Sequence, residues 1–377
     1  MEHVVLVIVG FLMATILGLL IIPRVLVISF RKRLFDMPDV RKVHSCPIPR
    51  LGGVTFFPVI ILVMCSICLL ELYSGGFPSV MTGYNLLNEM LCLLVGLMLL
   101  YIVGVCDDLI GVRYNRKFLV QILAAAFLPL SGLYIHDFYG LFGWYEIPAL
   151  LGVSFTMLLT VFVINAINLI DGIDGLASGL CMVALSIFGV TLAINGWWIY
   201  TMLAFVCIGV LIPFFLYNVF GNAERGHKIF MGDTGCLTLG FIISLLAIKY
   251  IVSMEQARSV SDGWPLVIAF SVLLVPCLDV FRVILSRIRR HVNPFKPDRT
   301  HFHHKMLEMG LTPRKALIWI ELISIAFIAF TMLLVHVGVL AYWVFIYDVV
   351  LWTLLNLWFS RIIRKKSYLV KPKTDQA

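Results

Sequence analysis

Two adjacent carboxylates, Asp107 and Asp108, close the apolar run at 101–106. Such a pair at a helix end is costly unless it is solvated or metal-bound. A polar cap would account for it, but negative charge at a helix C-terminus opposes the macrodipole and asks for a nearby cation. A second group is Asn165, Asn168 and Asp171. The spacing i, i+3, i+6 sets all three on one helix face. Gly172 can stop that helix, and Asp174 can cap the next at 175–177. Turn chemistry thus explains Gly172, Asp174 and Gly175, but not two amides and a carboxylate on one face. Asp233, in Phe-Met-Gly-Asp-Thr-Gly, stands between two glycines. It can approach a metal or phosphate closely, or serve as an ordinary N-cap.

The fourth group is Asp298, Arg299, His301, His303 and His304. Three histidines within four residues raise zinc, yet they lack a Cys partner and the spacing of a structural zinc site. Clustered His and Arg beside carboxylates suit a phosphate pocket better. Lys117 joins this set as a phosphate cation. Segment 36–53 carries Asp36, Arg41, Lys42, His44 and Arg50, with prolines at 47 and 49 and glycines at 52 and 53. It reads equally as a basic membrane anchor or as a shaped loop. Asp279 and Arg282 read as an i, i+3 pair, while Glu71, Glu321 and Asp348 read as charges near helix ends or paired inside a bundle. Carboxylates and an amide suit Mg²⁺, which prefers oxygen ligands and substrate phosphates. Lys, Arg and His can hold the remaining phosphate charge. The chemistry indicated is phosphoryl transfer between a soluble phosphate ester and a lipid.

The elements that must position these residues are membrane helices. Of 377 residues, 61% are hydrophobic and 13% charged, and mean hydropathy is +1.00. That excludes a soluble enzyme, a disordered chain and a disulfide-stapled module. The apolar segments are continuous, unlike the short alternating strands of a membrane barrel. Eleven helices are predicted near 4–28, 52–73, 86–106, 118–135, 147–167, 176–194, 197–217, 235–253, 265–285, 316–337 and 340–360. The first lacks a basic n-region and a cleavage site, so it is expected to be a retained span. No internal repeat or low-complexity tract interrupts them. Residues 1–363 are expected to form one integral membrane domain, and 364–377 a basic cytoplasmic tail. The nine cysteines give no framework and read as small buried hydrophobes.

Charge sets the orientation. Of 29 Lys and Arg, 27 fall in segments 24–50, 107–117, 218–234, 282–315 and the tail, leaving only Lys249 and Arg258 for the alternate loops. The positive-inside rule then predicts eleven spans, an outside N-terminus and a cytoplasmic C-terminus. It also accounts for the net charge of +8, so no nucleic-acid partner is expected. The candidate residues crowd at the cytoplasmic face. A transporter would instead place ionisable groups near the midplane on broken, repeated helices, and a lipid-binding or scaffold protein needs no such constellation.

The pieces DMPDVRKVH, PRLGG, CDD, NAINLIDGIDGL, FMGDTG and DRTHFHH, in this order over residues 36–310, resemble the polyprenyl-phosphate N-acetylhexosamine-1-phosphate transferases. The HFHH form is similar to the WecA-type branch more than to the MraY branch of peptidoglycan synthesis, whose UDP-MurNAc-pentapeptide transferase is the alternative. The resemblance implies ten or eleven spans in a bacterial inner membrane. It implies transfer of a sugar 1-phosphate from a UDP-N-acetylhexosamine to undecaprenyl phosphate, with release of UMP. It makes Asn168 and Asp233 ligands of Mg²⁺, or of Mn²⁺ as a substitute. It makes Asp107 and Asp108 the paired catalytic carboxylates, with Asp171 beside them, and Lys117 a phosphate ligand. Asp174 and Asn218 would face uracil, and His301 and His303 the sugar phosphate, with Arg299 and His304 as further substrate contacts. Membrane lipids are partners, and a homodimer is compatible. The stretch from Asn218 to Asp233 looks longer than the family pattern.

Overall fold

The computed structural model describes residues 2–36, 47–73, 84–254, 263–292 and 300–370. Arg299, and with it Arg41, Lys42, His44, Arg258 and Asp298, lies outside them. The described residues are almost all helical: α1 Glu2–Lys32, α2 Phe56–Tyr73, α3 Tyr84–Ile110, α4 Tyr114–Leu130, α5 Ala149–Ile170, α6 Leu176–Ile194, α7 Trp198–Val219, α8 Gly232–Ser253, α9 Trp264–Val272, α10 Leu274–Arg289, α11 Phe302–Glu308, α12 Pro313–His336 and α13 Ala341–Val370. Two short antiparallel strands, β1 Phe35–Asp36 and β2 Ile48–Pro49, pair Phe35 with Pro49. Every one of the eleven segments expected from sequence falls on helix.

Nine helices among the described residues are long and apolar enough to cross a membrane, and α9 with α10 makes a tenth if the bent pair counts as one. Two features differ from the sequence expectation. The ninth segment is broken by 79° between α9 and α10. Pro276 stands in the first turn of α10, where a proline cannot donate to the preceding turn. Beyond it, the short helix α11 follows in what was read as loop.

Helix α8 is the core of the bundle. It is apolar all round and buried along almost its whole length, as expected of a helix enclosed by other helices rather than facing lipid. Helices α3, α5, α6 and α9 pack around it, and α7 packs against α6 and α1. In lipid, close backbone approach replaces the hydrophobic drive, so small residues mark these contacts. A Cβ on Gly240 of α8 would collide with the α5 backbone at Ile164, and one on Gly209 of α7 with α1 at Phe11. The opposite faces of α1, α2, α12 and α13 expose large aliphatic and aromatic side chains, which suits contact with acyl chains.

Candidate active site

Several helix ends meet at one end of the bundle: the C-termini of α3, α5 and α7 and the N-termini of α4, α6 and α8. There a cavity of about 560 Å³ is lined by Asp108, Asn168, Asp171, Asp174 and Asp233 among others. The sequence groups separated by more than a hundred residues therefore share one wall.

Asp107 and Asp108 have different jobs. Asp108 accepts from the backbone N–H groups of Asp233 (2.8 Å) and Thr234 (3.0 Å), and from the Thr234 hydroxyl at 2.6 Å. It thus caps α8 from another helix, since α8 has no side-chain cap of its own. The positive end of α8 answers the negative charge at the end of α3. Asp107 accepts from its own turn, Val112 N–H at 2.7 Å, and from Lys117 Nζ at 2.9 Å. Lys117 also bonds Asp233. The cation that the sequence called for is therefore Lys117, at the start of α4. Gly232 adopts φ +72° beside this cap, and a Cβ there would meet the Asp108 carboxylate and the Arg50 carbonyl. Only glycine takes that conformation without cost.

The α5–α6 turn supplies the second wall. Asn168 Nδ2 donates to Asp233 Oδ1 at 2.6 Å. Asn165, on the same face one turn earlier, is not part of the cavity; it bonds Gln121 of α4 at 2.7 Å and packs the two helices together. Asp171 ends α5, and its nearest described hydrogen-bond partner is Cys236 Sγ at 3.6 Å. Burial, with Asp174, Asp233 and Asp108 nearby, pushes its carboxyl up to about 7. One expected cap is corrected here. Helix α5 ends at Ile170 with Asp171 as its C-cap, just before Gly172 as expected, but the left-handed residue is Gly175, φ +81°, at the N-cap of α6. Asp174 does not cap α6; it takes Lys228 Nζ at 2.6 Å. Asn218, read as facing uracil, lines the cavity with both ends of its amide held by backbone. Its Oδ1 accepts from Gly175 N–H at 2.6 Å, and its Nδ2 donates to the Ile229 carbonyl at 2.8 Å.

The third wall is two chain segments laid side by side. Gly52 and Gly53 donate to the carbonyls of Phe230 and Met231, and Phe230 donates to the Pro49 carbonyl. Segment 48–53 is therefore a shaped loop, not a simple membrane anchor, and it brings Arg50 to the cavity.

The histidines divide. His304 lines the cavity. His301 is buried behind it, with Nδ1 2.9 Å from Asp279 Oδ2, and Phe302 N–H donates to Asp279 Oδ1 at 3.0 Å. The Asp279–Arg282 pair read from sequence is present at 2.7 Å, but its larger task is to anchor the start of α11. His303 lies against Gly172, close enough that a Cβ there would strike its ring. Both of its ring nitrogens are buried without a hydrogen-bond partner among the described residues. That burial drives its imidazole down to about 3, with His304 adding to the effect, so it is neutral. Sequence reasoning did not single out Lys228, Phe230, Thr234 or Cys236. Lys228 was counted only as a topogenic charge.

The model of glycosyl transferase family 4 matches residues 90–251, which carry Asp107, Asp108, Lys117, Asn168 and Asp233. A Bacillus subtilis (strain 168) protein named "Probable undecaprenyl-phosphate N-acetylglucosaminyl 1-phosphate transferase" is 31% identical over 334 residues, 86% of this chain and 84% of that one. Proteins of Yersinia pestis and Escherichia coli (strain K12), each named undecaprenyl-phosphate alpha-N-acetylglucosaminyl 1-phosphate transferase, are 29% identical over 297 and 310 residues. They cover 78% and 82% of this chain and 75% and 76% of their own lengths. With that extent of likeness, this chain belongs to glycosyl transferase family 4, among its WecA-like polyprenyl-phosphate N-acetylhexosamine-1-phosphate transferases.

Proposed function

We propose that this protein transfers N-acetylglucosamine 1-phosphate from a UDP-sugar to undecaprenyl phosphate and releases UMP. One observation carries the proposal: carboxylates and amides from the ends of α3, α5, α7 and α8 line one open cavity with Lys228, and Lys117 of α4 bonds the cavity's Asp233. The names of the relatives supply the sugar and the lipid. In the reaction a lipid phosphate oxygen forms a new P–O bond to the sugar-bearing phosphorus, and the P–O bond to UMP breaks. Two phosphate-bearing substrates repel each other, so cationic groups must offset their charge before in-line attack.

The cofactor of this reading is Mg²⁺, with Mn²⁺ as a substitute. Asn168 and Asp233 would hold it. The two side chains are neighbours, joined by the Asn168 Nδ2 hydrogen bond to Asp233 at 2.6 Å, and the amide oxygen would be the ligand, with the Asp171 carboxyl lining the same cavity. Among the described residues no three His, Cys, Asp or Glu side chains form a closed cage. A hard cation that keeps waters and shares substrate phosphates does not need one. Bound there, it would neutralise diphosphate charge. Lys117 shares that work, held in place by Asp107. Asp108 fixes the start of α8 and hence the place of Asp233. Asp171, titrating near neutrality, is suited to hold the lipid phosphate's proton. His304 offers the cavity a further donor.

The same reading counts eleven spans, taking α4 as one and α9–α10 as one, with the cavity on the cytoplasmic side of a bacterial inner membrane. The positive-inside count supports it. Labelling of Asn115→Cys, on a Cys-free background, by an impermeant reagent from outside would overturn this orientation. The activity is tested by giving membranes a panel of radiolabelled UDP-sugars with undecaprenyl phosphate. Labelled lipid from UDP-N-acetylglucosamine, lost with EDTA and restored by Mg²⁺, is expected. Product only from UDP-MurNAc-pentapeptide would move the protein to the other branch, and no lipid product from any donor would refute the transferase reading.

A further inference from the structure

The segment between α7 and α8 is long, and it brings Lys228 to the lining of the cavity. Lys228 Nζ donates to Asp174 Oδ2 at 2.6 Å, with side chains 17% and 29% exposed. Both residues line the cavity, so the contact faces the space an incoming substrate would fill. The backbone around Lys228 is held on both sides. His227 N–H donates to the Asn222 carbonyl, and the Ile229 carbonyl accepts from Asn218. The side chain is thus presented by a braced loop, while its tip rests on one carboxylate.

The two lysines of the cavity region differ in how they are engaged. Lys117 is shared between Asp107 and Asp233, which ties α3 to α8. Among the described residues the only charged partner of Lys228 is Asp174, a turn residue that makes no side-chain cap to α6. The pair is partly buried at the cavity lining, where a ligand can reach both partners. A phosphate offers the ammonium more negative charge and several acceptor oxygens. Exchange of Asp174 for a phosphate oxygen therefore keeps the ammonium paired and frees the Asp174 carboxylate.

We propose that Lys228 is a donor-recognition residue that exchanges partners: its ammonium holds Asp174 in the empty cavity and moves to a phosphate oxygen of a bound nucleoside diphosphate. Release of Lys228 leaves the Asp174 carboxylate free to accept a hydrogen bond from the same donor. The loop thereby couples recognition of the phosphates to availability of Asp174. This rests on the nucleotide-sugar reading above.

The test is binding, not turnover, on the full chain in lipid nanodiscs with Mg²⁺ present. Uridine, UMP and UDP are titrated into wild type, Lys228→Met and Lys228→Arg, and the melting temperature of each variant is measured alongside. Exchange predicts that Lys228→Met weakens UDP about tenfold or more while uridine stays within about twofold, and that Lys228→Arg retains UDP affinity within about threefold. Equal loss for uridine and UDP would make Lys228 a mere brace for the loop and overturn the inference. So would unchanged UDP affinity in Lys228→Met. If Lys228→Met does not fold, Lys228→Gln carries the same comparison. Wild-type protein that is folded yet binds no UDP would instead overturn the nucleotide-donor reading itself.

Discussion

Helices α3 and α8 are joined by charges at both ends, and the two junctions are built on opposite principles. At one end Glu89 takes both ends of a contact from Lys249 Nζ, at 2.8 and 3.1 Å, and the pair is buried. The rings of Trp197 and Tyr200 lie over the ammonium at 4.1 and 4.8 Å, a favourable use of the ring quadrupole. One positive charge meets one negative charge, and no space is left. At the other end Asp107, Asp108, Asp171, Asp174 and Asp233 gather around Lys117 and Lys228 with Arg50 nearby, and the group opens into a cavity. A neutralised, sealed pair is what a membrane bundle needs for structure. The open junction instead leaves carboxylates in excess of Lys117, Lys228 and Arg50, beside a space that a charged ligand can enter. The comparison also corrects the sequence view of Lys249, counted there as an outer-loop charge.

Substitutions should separate the two junctions. The largest effect is expected from Asp233→Asn, which removes the carboxylate shared by Lys117 and Asn168. Turnover should fall about 10²–10³-fold, as when one preorganised electrostatic contact is lost, while the protein still inserts and melts near the wild-type temperature. Full activity of Asp233→Ala at ordinary Mg²⁺ would end its assignment as a metal ligand. Asp107→Asn and Asp108→Asn should both lose most turnover yet differ in kind. Asp108→Asn should also lower the melting temperature, because a lost cap costs about 1 kcal/mol. Asp107→Asn should instead leave melting little changed and shift the apparent Mg²⁺ affinity, because it unties Lys117. If both keep near-wild-type turnover at saturating Mg²⁺ and lipid, the pair is only a helix cap.

The sealed junction should behave in reverse. Glu89→Gln or Lys249→Met alone leaves one buried partner uncompensated, a loss of about 3–5 kcal/mol, read as a lower melting temperature in detergent. Turnover per folded molecule should hold. The double variant Glu89→Leu/Lys249→Met should recover much of the stability, and failure to recover would mean that the pair does more than neutralise itself.

The smallest effects are in pH dependence, measured without divalent cations. His303 is held near 3 when folded but titrates at 6.5 when unfolded, so the unfolded chain binds the extra proton. Its contribution is present above 6.5 and is lost as pH falls toward 3. Asp171 has the opposite sign. Held near 7 against 3.8, it binds its proton in the folded state, and stability declines as pH rises from about 4 to 7. His303→Gln should flatten the first slope and Asp171→Asn the second, in melting curves taken across pH 4–8.

Much of this was legible because helices and carboxylates announce themselves locally. The apolar runs gave every long helix, and the i, i+3 spacing of Asn168 and Asp171 gave one true cavity face. Asn165, on the same face, went elsewhere because a helix turn deeper it meets Gln121 rather than the cavity. Prolines show the limit of local reading. Pro213 sits inside α7, where Gly18 of α1 makes room for its ring and the helix continues, whereas Pro276 accompanies a 79° break. The neighbour decides, and it lies far away in sequence. The same holds for Asp108, whose partners begin 125 residues later, and for Lys228, whose role depends on a turn 54 residues earlier.

That long reach has a consequence for how the protein is made. Lys249 is 160 residues downstream of Glu89. At about 5–20 residues per second of synthesis, a nascent α3 waits roughly 10–30 s for its counter-charge. Throughout that interval Glu89 lacks its cation, and for most of it Asp108 lacks the α8 N-terminus that it caps, so the early helices cannot close into a finished bundle. Helix α8 arrives as the keystone, meeting α3, α5 and α6 already made and completing both junctions, with α9 added after it. Nascent chains arrested before residue 232 should therefore be cleared by membrane proteases faster than chains arrested after residue 253, and equal lifetimes would argue that the first seven helices assemble without it.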